Sequence, residues 1–377
     1  MKIIVLGAGL VGKAMALDLA SETEFSLTSV DLKPEALAEL AAAGIKVISQ
    51  DLSQPEAARE LVNDYDLVIN AMPGHLGFQS LKACLKAGRN VVDISFFPEN
   101  PFELESLARE QKLTAVIDSG VAPGLSNMLA GYGIRQLDKA FSVHIYVGGL
   151  PVIRKWPFEY QAVFSPVDVI EEYLRPARCV ENGQLVTKPA LSEPEFLEFE
   201  NLGTLEAFNT DGLRTMIETL NVPQMVEKTL RYPGHREKML ALRQAGFFAE
   251  QPVEIAGQKV RPVDLAAKIL FPRLNTKAGE EDLTILRVII SGQQDGCPVR
   301  LTYDLFDRFD RKTSIHSMAR TTGYTATAVT RAVARGLIRK TGIIAPELLG
   351  LEPEVFNFVR KELLNRKIVI KEKKEAG

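Results

Sequence analysis

The feature that most constrains the fold is a glycine-rich turn close to the start of the chain. Residues 2–6 (KIIVL) form a short β-branched run typical of a strand, and residues 11–20 (VGKAMALDLA) have the pattern of a helix. In a G-x-G-x-x-G turn the first glycine permits a tight bend, the second lets the backbone approach a pyrophosphate, and the third lets helix and strand pack closely. The turn consists of Gly7, Ala8, Gly9, Leu10, Val11 and Gly12. It predicts a β–α unit that binds a dinucleotide at the N-terminus of its helix.

An acidic residue, Asp31, ends the next predicted strand (SLTSVD), 19 residues after Gly12. At this place in a dinucleotide-binding unit, a carboxylate accepts hydrogen bonds from the adenosine ribose hydroxyls. It also repels a 2′-phosphate, so NAD is the expected cofactor. Lys33 is close enough in sequence to weaken that preference, and NADP stays the alternative.

Other residues of the same region are candidates for cofactor contacts. Asp51 follows the third predicted strand, where it either meets the adenine edge or caps the next helix. Asn70, Met72 and Pro73 end the fourth predicted strand (DLVINAMP), beside the crevice in which the nicotinamide half of a dinucleotide lies. The alternative for this segment is a turn in which Asn and Pro serve the backbone alone.

The alternation of strand and helix patterns sets the predicted fold class. Up to about residue 120 the alternation predicts an α/β fold with a Rossmann, doubly wound parallel sheet. Strand patterns punctuated by Gly and Pro then predict an inserted α/β domain with a mixed or antiparallel sheet. We expect an NAD-binding Rossmann domain at 1–122 and a substrate-binding and dimerisation domain at 123–315. Residues 316–377 are expected to form C-terminal helices that return to the Rossmann domain, before a solvated charged tail.

Composition excludes several classes of partner. With 377 residues and a formal net charge of −3, the chain has no basic excess that would attract nucleic acid. Its Cys84, Cys179 and Cys297 are far apart, and its four histidines lack the spacing of zinc ligands, so we expect no metal site. No apolar run approaches the roughly 20 residues that a membrane helix requires. We therefore expect a cytoplasmic protein with a small-molecule substrate.

Four blocks downstream of the nucleotide region resemble the signature blocks of the saccharopine dehydrogenase family. They are GVAPGLSNMLA at 120–130, YVGGLP at 146–151, GTLEAFNTDGL at 203–213 and TLRYPGH at 229–235. Saccharopine-forming members usually carry a cysteine where this chain has Val147, and a Pro-Asn-Arg-Asp run where it has Asn209-Thr210-Asp211. At both places the chain is more similar to the L-lysine 6-dehydrogenases of the family.

This resemblance implies an activity and an assembly. The expected reaction is NAD-dependent oxidation of the lysine side-chain amine to an imine, which hydrolyses to the semialdehyde and ammonia before the aldehyde cyclises to a piperideine carboxylate. The resemblance also implies a homodimer formed through the inserted sheet. The alternatives are a saccharopine- or carboxynorspermidine-type reductase, which needs a second carboxylate site, and a catalytically silent NAD-binding sensor.

Amine oxidation requires a base for the ammonium and a group that activates water against the imine. Asp93 and Asp118 end consecutive predicted strands and are candidates for these roles, with turn capping as the alternative. His235 is a candidate acid–base or amine-orienting group, because a neutral imidazole accepts a proton near neutral pH. The alternative for His235 is a surface histidine or one satisfied within the core.

The substrate needs partners for its charged ends. Gly124, Ser126 and Asn127 open a predicted helix after Pro123, which favours a bound carboxylate. A guanidinium also fits a carboxylate, and the signature blocks raise Arg231 above other arginines. The remaining substrate-binding candidates are Arg214 and Tyr232, together with Glu206 and Asp211 as ammonium partners, although Asp211 also suits a helix cap. Aromatic candidates for the wall of the methylene chain are Trp156, Phe158 and Tyr160, with core or dimer interface as the alternative.

Overall fold

The computed structural model describes residues 1–162, 166–200, 202–277 and 279–376, without the side chains of 166–168. The chain forms two compact units, one of residues 1–136 and 318–370, the other of residues 137–317 with the C-terminal residues from 371. We call them unit 1 and unit 2. The strands along the chain are β1 Lys2–Leu6, β2 Ser26–Asp31, β3 Lys46–Ser49, β4 Leu67–Asn70, β5 Asn90–Asp93, β6 Thr114–Val116, β7 Lys139–Pro151, β8 Ala177–Glu181, β9 Gln184–Lys188, β10 Glu195–Phe199, β11 Gly203–Asn209, β12 Gln224–Arg231, β13 Val253–Ile255, β14 Gln258–Val260, β15 Asp282–Gln294, β16 Cys297–Arg308, β17 Gly342–Ile344 and β18 Ile370–Ala376. The α-helices are α1 Leu10–Leu19, α2 Pro34–Ala42, α3 Pro55–Leu61, α4 Gly74–Lys86, α5 Glu105–Glu110, α6 Leu125–Arg135, α7 Pro166–Leu174, α8 Met216–Thr219, α9 His235–Gln244, α10 Pro262–Leu274, α11 Ser317–Ala334, α12 Pro346–Gly350 and α13 Pro353–Asn365.

Unit 1 is built on a parallel sheet of seven strands in the order β17-β6-β5-β4-β1-β2-β3. Its inner strand β1 is fully buried from Ile3 to Leu6, as expected for a sheet covered by helices on both faces. The predicted Rossmann-type α/β fold is confirmed. The seventh strand, β17, was not predicted, because a Gly-Ile-Ile segment is too short to show a strand period.

Helix α11 packs against α1 within unit 1. A Cβ added at Gly323 would lie 3.2 Å from Met15 Cγ, so the missing side chain lets the two helices approach closely. The hydroxyl of Thr327 donates to Asp18 at 2.6 Å, and buried Arg331 donates to the same carboxylate at 2.8 Å. Helix α6, which we had placed in the inserted domain, belongs to unit 1.

Unit 2 contains a nine-stranded mixed sheet. Its main path runs β10-β11-β12-β7-β15-β16-β18, with β8 pairing to β12 and to β9. The β12–β7 pair is parallel, whereas β11–β12, β7–β15 and β15–β16 are antiparallel. The predicted mixed sheet is confirmed. The expectation of a solvated C-terminal tail is wrong, because residues 370–376 form the edge strand β18, in which exposed charged side chains accompany a paired backbone.

Candidate active site

The glycine turn between β1 and α1 has the geometry that the hexad predicts. Gly7 has a φ of 99°, and a Cβ there would lie 2.6 Å from the carbonyl oxygen of Ala71. A Cβ at Gly12 would lie 2.0 Å from the carbonyl oxygen of Gly7. Only glycine fits at these two positions, since any side chain would collide with backbone.

The same turn leaves an open cradle at the start of α1. A Cβ at Gly9 would have no heavy atom within 4 Å, and both Gly9 and Leu10 are exposed, while Val11 is half-buried. Among the described residues, no side chain caps α1 and its first turn has no acidic residue, so its leading N–H groups have no side-chain acceptor there. These groups fit the pyrophosphate of a dinucleotide.

Asp31 is held at the rim of this turn. One carboxylate oxygen accepts the backbone N–H of Ala8 at 2.8 Å, and the other accepts that of Lys33 at 2.9 Å. A carboxylate oxygen accepts more than one hydrogen bond, so both keep capacity for ribose hydroxyls. The residues present therefore fit a nicotinamide dinucleotide.

The other cofactor candidates show mainly structural contacts. Asp51 is exposed and accepts the backbone N–H of Ser53 at 2.8 Å, a bond that lowers the pKa of its carboxyl group. The N-cap of α3 is Gln54, so the predicted capping alternative for Asp51 is wrong. Met72 packs on the core of unit 1, and Pro73 is the N-cap of α4. A cofactor contact from Asp51, Met72 or Pro73 stays a prediction.

Asn70 and Asp93 join the carboxyl ends of β4 and β5. Both are fully buried, and the Asn70 amide donates to the Asp93 carboxylate and to the carbonyl of Gly77 at 3.1 Å. Asp93 also accepts the backbone N–H of Ser95 at 2.8 Å. Asn70 Oδ1 is buried and has no hydrogen-bond partner among the described residues, so it is available to a donor on a bound molecule.

Asp118 lies at the same edge of the sheet. It follows β6, is 2% exposed and has a φ of 50°, a conformation that non-glycine residues adopt infrequently. The next residue, Ser119, donates its N–H to the carbonyl of Asp93 at 2.8 Å. The structure thus brings the two predicted carboxylates to adjacent strand ends, with Asp93 committed to neighbouring groups.

The start of α6 is bound internally. Gly124 has a φ of 135°, and its N–H donates to Asn127 Oδ1 at 3.1 Å. Ser126 donates to the same oxygen at 2.9 Å, and the Asn127 amide donates to Glu347 at 3.2 Å. Both side chains are buried and bonded to the protein, which favours a helix-capping role over the substrate contacts that we predicted.

In unit 2, Arg231 ends β12 as a buried cation. Its guanidinium donates to Glu172 at 2.8 Å and to the carbonyl of Leu230 at 3.0 Å, and its central carbon lies 4.2 Å from the ring centroid of Tyr160. Neither Arg231 Nε nor the Tyr160 hydroxyl has a hydrogen-bond partner in the part of the chain that the structure describes. Two adjacent buried donors without acceptors fit a carboxylate. The sequence predicted Tyr160 only as an apolar wall.

His235, at the start of α9, is fully buried with both ring nitrogens in use. Its Nδ1 lies 2.8 Å from the carbonyl oxygen of Phe158, which only accepts, so Nδ1 carries the proton. Nε2 accordingly accepts the hydroxyl of Tyr173 at 2.9 Å. Burial, aided by the positive charge of Arg231, lowers the pKa of His235 to about 3. A neutral, fixed imidazole favours an orienting role over the predicted acid–base role.

The remaining predicted substrate residues have partners within unit 2. Asp211 accepts both arms of Arg178, at 2.9 Å and 3.0 Å. Glu206 accepts the backbone N–H of Gly234 at 3.1 Å, and the Tyr232 hydroxyl donates to the carbonyl of Pro151 at 3.0 Å. Arg214 is buried with a φ of 52°. These contacts show structural roles, and substrate binding by the four residues stays a prediction.

A buried carboxyl group that sequence reasoning missed lies on β12. Glu227 is 3% exposed and accepts the hydroxyl of Thr210 at 2.7 Å. A Cβ at Gly212 would lie 2.4 Å from the Glu227 carboxyl carbon, so glycine is required beside it. Burial raises the pKa of Glu227 to about 8, despite the hydrogen bond from Thr210 that lowers it. The strand QMVEKTLR gave no signal, because polar strand residues usually face solvent.

Among the described residues, no group of three or more His, Cys, Asp or Glu side chains is arranged to hold a metal ion. Within the same residues, none of the helices is both long and apolar enough to cross a membrane.

Known proteins resemble both units. A family model described as the saccharopine dehydrogenase NADP binding domain matches residues 3–116, which include the glycine turn and Asp31. A second, described as the saccharopine dehydrogenase C-terminal domain, matches residues 120–368.

Individual relatives agree with this match. The chain is 24% identical over 451 aligned positions to saccharopine dehydrogenase [NADP(+), L-glutamate-forming] of Saccharomyces cerevisiae, covering 99% of both. It is 28% identical over 259 residues to the mitochondrial alpha-aminoadipic semialdehyde synthase of Bos taurus. The match covers 63% of this chain and about a quarter (27%) of that longer protein. The solved structure of apo saccharopine dehydrogenase (L-Glu forming) from Saccharomyces cerevisiae matches with a TM-score of 0.82 and 21% identity, covering all of both chains. The chain belongs to the saccharopine dehydrogenase family of oxidoreductases.

Proposed function

We propose that the protein catalyses the NAD-dependent oxidative deamination of the L-lysine side-chain amine, releasing ammonia and a semialdehyde that cyclises to a piperideine carboxylate. The observation that carries this proposal is that the two departures from the saccharopine-type pattern lie side by side in unit 2. Val147 on β7 pairs with Thr229 on β12, and the hydroxyls of Thr229 and Thr210 are 2.8 Å apart.

This arrangement supports a smaller substrate. Saccharopine carries a glutamate unit in addition to its lysine unit, and its extra carboxylates need cations. Where saccharopine-forming members usually carry an arginine in the Pro-Asn-Arg-Asp run, this chain has the short hydroxyl side chain of Thr210. Asp211 forms an ion pair with Arg178, so the Arg178 guanidinium is already engaged and is not available to a ligand carboxylate. The region therefore favours a substrate with one carboxylate.

The chain's own residues divide the work of binding and proton transfer. Arg231 Nε and the Tyr160 hydroxyl, both buried and without acceptors among the described residues, would bind the substrate carboxylate. His235 holds the Tyr173 hydroxyl and so fixes the wall of this cluster. Asp93 is bonded to Asn70 and Ser95 and serves as a positioning residue.

Asp118 is the carboxylate of unit 1 that we assign to proton transfer. A bound nicotinamide would supply the hydride acceptor for the carbon that carries the amine. The reaction also needs one proton acceptor for the ammonium and one for the water that attacks the imine. Asp118 follows the last strand before the family's second domain and is held in a left-handed conformation at the sheet edge, which suits one of these roles.

The cofactor assignment rests on Asp31. Its carboxylate is fixed at the end of β2 by two backbone N–H groups, where it would repel a 2′-phosphate. The names of the family model and of the yeast relatives point instead to NADP. The ratio of kcat/KM for NAD to that for NADP decides the point, and we expect NAD to be preferred.

A second candidate is a saccharopine dehydrogenase that forms glutamate, as the yeast relative is named. Steady-state formation of NADH with L-lysine as the sole amine tests the first proposal, and oxidation of saccharopine under the same conditions tests the second. We expect turnover with lysine and at least tenfold lower kcat/KM with saccharopine. Turnover of saccharopine without turnover of lysine would replace the first proposal by the second.

We also propose a homodimer that forms through the sheet of unit 2, as the family resemblance implies. Light scattering coupled to size-exclusion chromatography would measure the mass in solution. A mass of one chain at micromolar concentration contradicts the dimer.

A further inference from the structure

We propose that Glu227 binds the side-chain ammonium of the substrate and accepts its proton. This inference rests on the proposed function and names the residue that recognises the reacting amine. The observation behind it is a contrast among three carboxyl groups of one region of unit 2. Glu172 and Asp211 each pair with a guanidinium, whereas Glu227 has no such partner among the described residues.

The neighbours of Glu227 show this contrast. Glu172 on α7 accepts from Arg231 at 2.8 Å, and Asp211, after β11, accepts from Arg178 at 2.9 Å. Within the described part of the chain, Glu227 accepts from two neutral donors, the hydroxyl of Thr210 and the backbone N–H of Gly212. No lysine or arginine nitrogen lies within ion-pair distance of it in the residues that the structure describes.

The position of Glu227 links it to the two places where the chain departs from the saccharopine-type pattern. Its donor Thr210 also bonds to Thr229, two residues further along β12, and Thr229 pairs with Val147. Successive odd residues of β12 share one face of the sheet, so Glu227, Thr229 and Arg231 line it in order. A substrate whose carboxylate lies at Arg231 would extend its chain along this row of side chains towards Glu227.

The electrostatic surroundings explain why an ammonium fits. Burial removes Glu227 from water and so disfavours its charged form, and repulsion from the negative charges of Glu172 and Asp211 disfavours it further. The thiol of Cys179 on β8 also lies near enough to sense its charge. Burial and these two carboxylates raise the pKa of Glu227 to about 8, so the acid is mostly protonated at neutral pH. An ammonium would supply the missing cation and favour the carboxylate.

The proton balance follows directly. Binding of the substrate ammonium to the protonated acid releases one proton to solvent and leaves an ammonium–carboxylate pair. The ammonium N–H bond then breaks, the nitrogen keeps the electron pair, and the proton forms a bond with the carboxylate oxygen. The products of this step are a neutral amine, from which a hydride can leave, and the protonated acid.

Calorimetry tests the binding step without turnover. L-Lysine is titrated into the full-length protein with saturating NADH, which cannot accept a hydride, in two buffers of different ionisation enthalpy at pH 7. We expect release of close to one proton per site. In Glu227→Gln, which keeps an acceptor for Thr210, we expect no release and at least tenfold weaker lysine binding. Norleucine, which lacks the side-chain ammonium, should release no proton from the wild type.

The kinetic test uses the pH profile. We expect a limb in kcat/KM for lysine that reports Glu227 in the wild type, and a fall of about 100-fold or more with loss of that limb in Glu227→Gln. Glu227→Asp should recover part of the rate. The matched control is Asp307→Asn, another buried carboxyl of unit 2 that accepts a hydroxyl, from Ser317 at 2.9 Å. It should keep both the limb and the proton release.

Each outcome has a distinct meaning. A Glu227→Gln protein that binds NADH and melts cooperatively, yet oxidises lysine with unchanged kcat/KM and unchanged proton release, overturns the role of Glu227 alone. A wild-type protein that neither binds nor oxidises lysine overturns the proposed function and this inference together.

Discussion

Glu227 should make the protein less stable as the pH rises, and its replacement by glutamine should remove this effect. The ordinary pKa of a glutamate is 4.5, which applies to the unfolded chain, and burial raises the pKa in the fold to about 8. Below pH 4.5 the acid is neutral in both states and costs nothing. Between the two values the unfolded chain ionises while the folded protein stays protonated, so the free energy of unfolding falls as the pH rises.

The size of the effect follows from the shift. Each pH unit between the two pKa values removes about 1.4 kcal/mol from the free energy of unfolding. From pH 5 to pH 8 the contribution of Glu227 is therefore a loss of about 3 to 4 kcal/mol. Glutamine has the shape of the protonated acid and does not titrate. Glu227→Gln should thus equal the wild type below pH 4.5, exceed its stability by about 1 kcal/mol at pH 5 and exceed it by roughly 4 kcal/mol at pH 8.

Urea denaturation of both proteins at several pH values between 5 and 8 measures the difference directly. The difference in unfolding free energy should rise with pH and level off above pH 8. The slope belongs to Glu227 only if Asp307→Asn does not reproduce it. A difference that stays constant with pH would refute the argument that Glu227 is buried as a neutral acid, and with it the expected proton release on lysine binding.

Four further predictions concern the cofactor site and the buried histidine. His235 has its pKa lowered to about 3 in the fold, so stability is lost as the pH falls below about 6.5, where the unfolded chain gains a proton that the fold rejects. Urea denaturation should show about 2 kcal/mol more loss between pH 6.5 and 5 in the wild type than in His235→Gln, and equal losses would contradict the buried neutral imidazole. Gly12→Ala should lower the melting temperature and NADH affinity together, because its Cβ would meet the Gly7 carbonyl at 2.0 Å. Gly9→Ala, with no atom within 4 Å of its Cβ, should keep the melting temperature and lose NADH affinity at least tenfold in fluorescence titration, unless the pyrophosphate lies elsewhere. Asp31→Ser should shift the kcat/KM ratio at least tenfold towards NADP, and an unchanged ratio would remove the carboxylate argument.

The nucleotide-binding part of the fold was readable from sequence because its signals are local. A turn that requires a positive φ, or the close approach of two backbones, demands glycine whatever surrounds it. Asp31 is the last residue of the short strand SLTSVD, so its place at the end of β2 could be counted along the chain. The same reasoning placed Asn70, Asp93 and Asp118 at strand ends, and the structure has them at one edge of the sheet.

The substrate side depends on contacts between residues far apart in sequence. Arg231 pairs with Glu172 as its counter-ion. Both hydrogen-bond partners of His235 come from far earlier in the chain, Tyr173 by 62 positions and Phe158 by 77. These partners convert a candidate acid–base group into a fixed neutral one.

What the sequence by itself determined is the glycine turn, the α/β alternation and the family, since each depends on neighbouring residues or on short motifs. Only the tertiary structure decided which polar side chains are buried and with whom they pair. The strand β18 is held by its neighbour β16 rather than by its own charged sequence. Glu227 looks like a solvent-facing strand residue until the fold buries it beside Thr210 and Gly212, with no cationic partner among the described residues. Burial and pairing set the charge state of a carboxyl group, and both are properties of the folded chain.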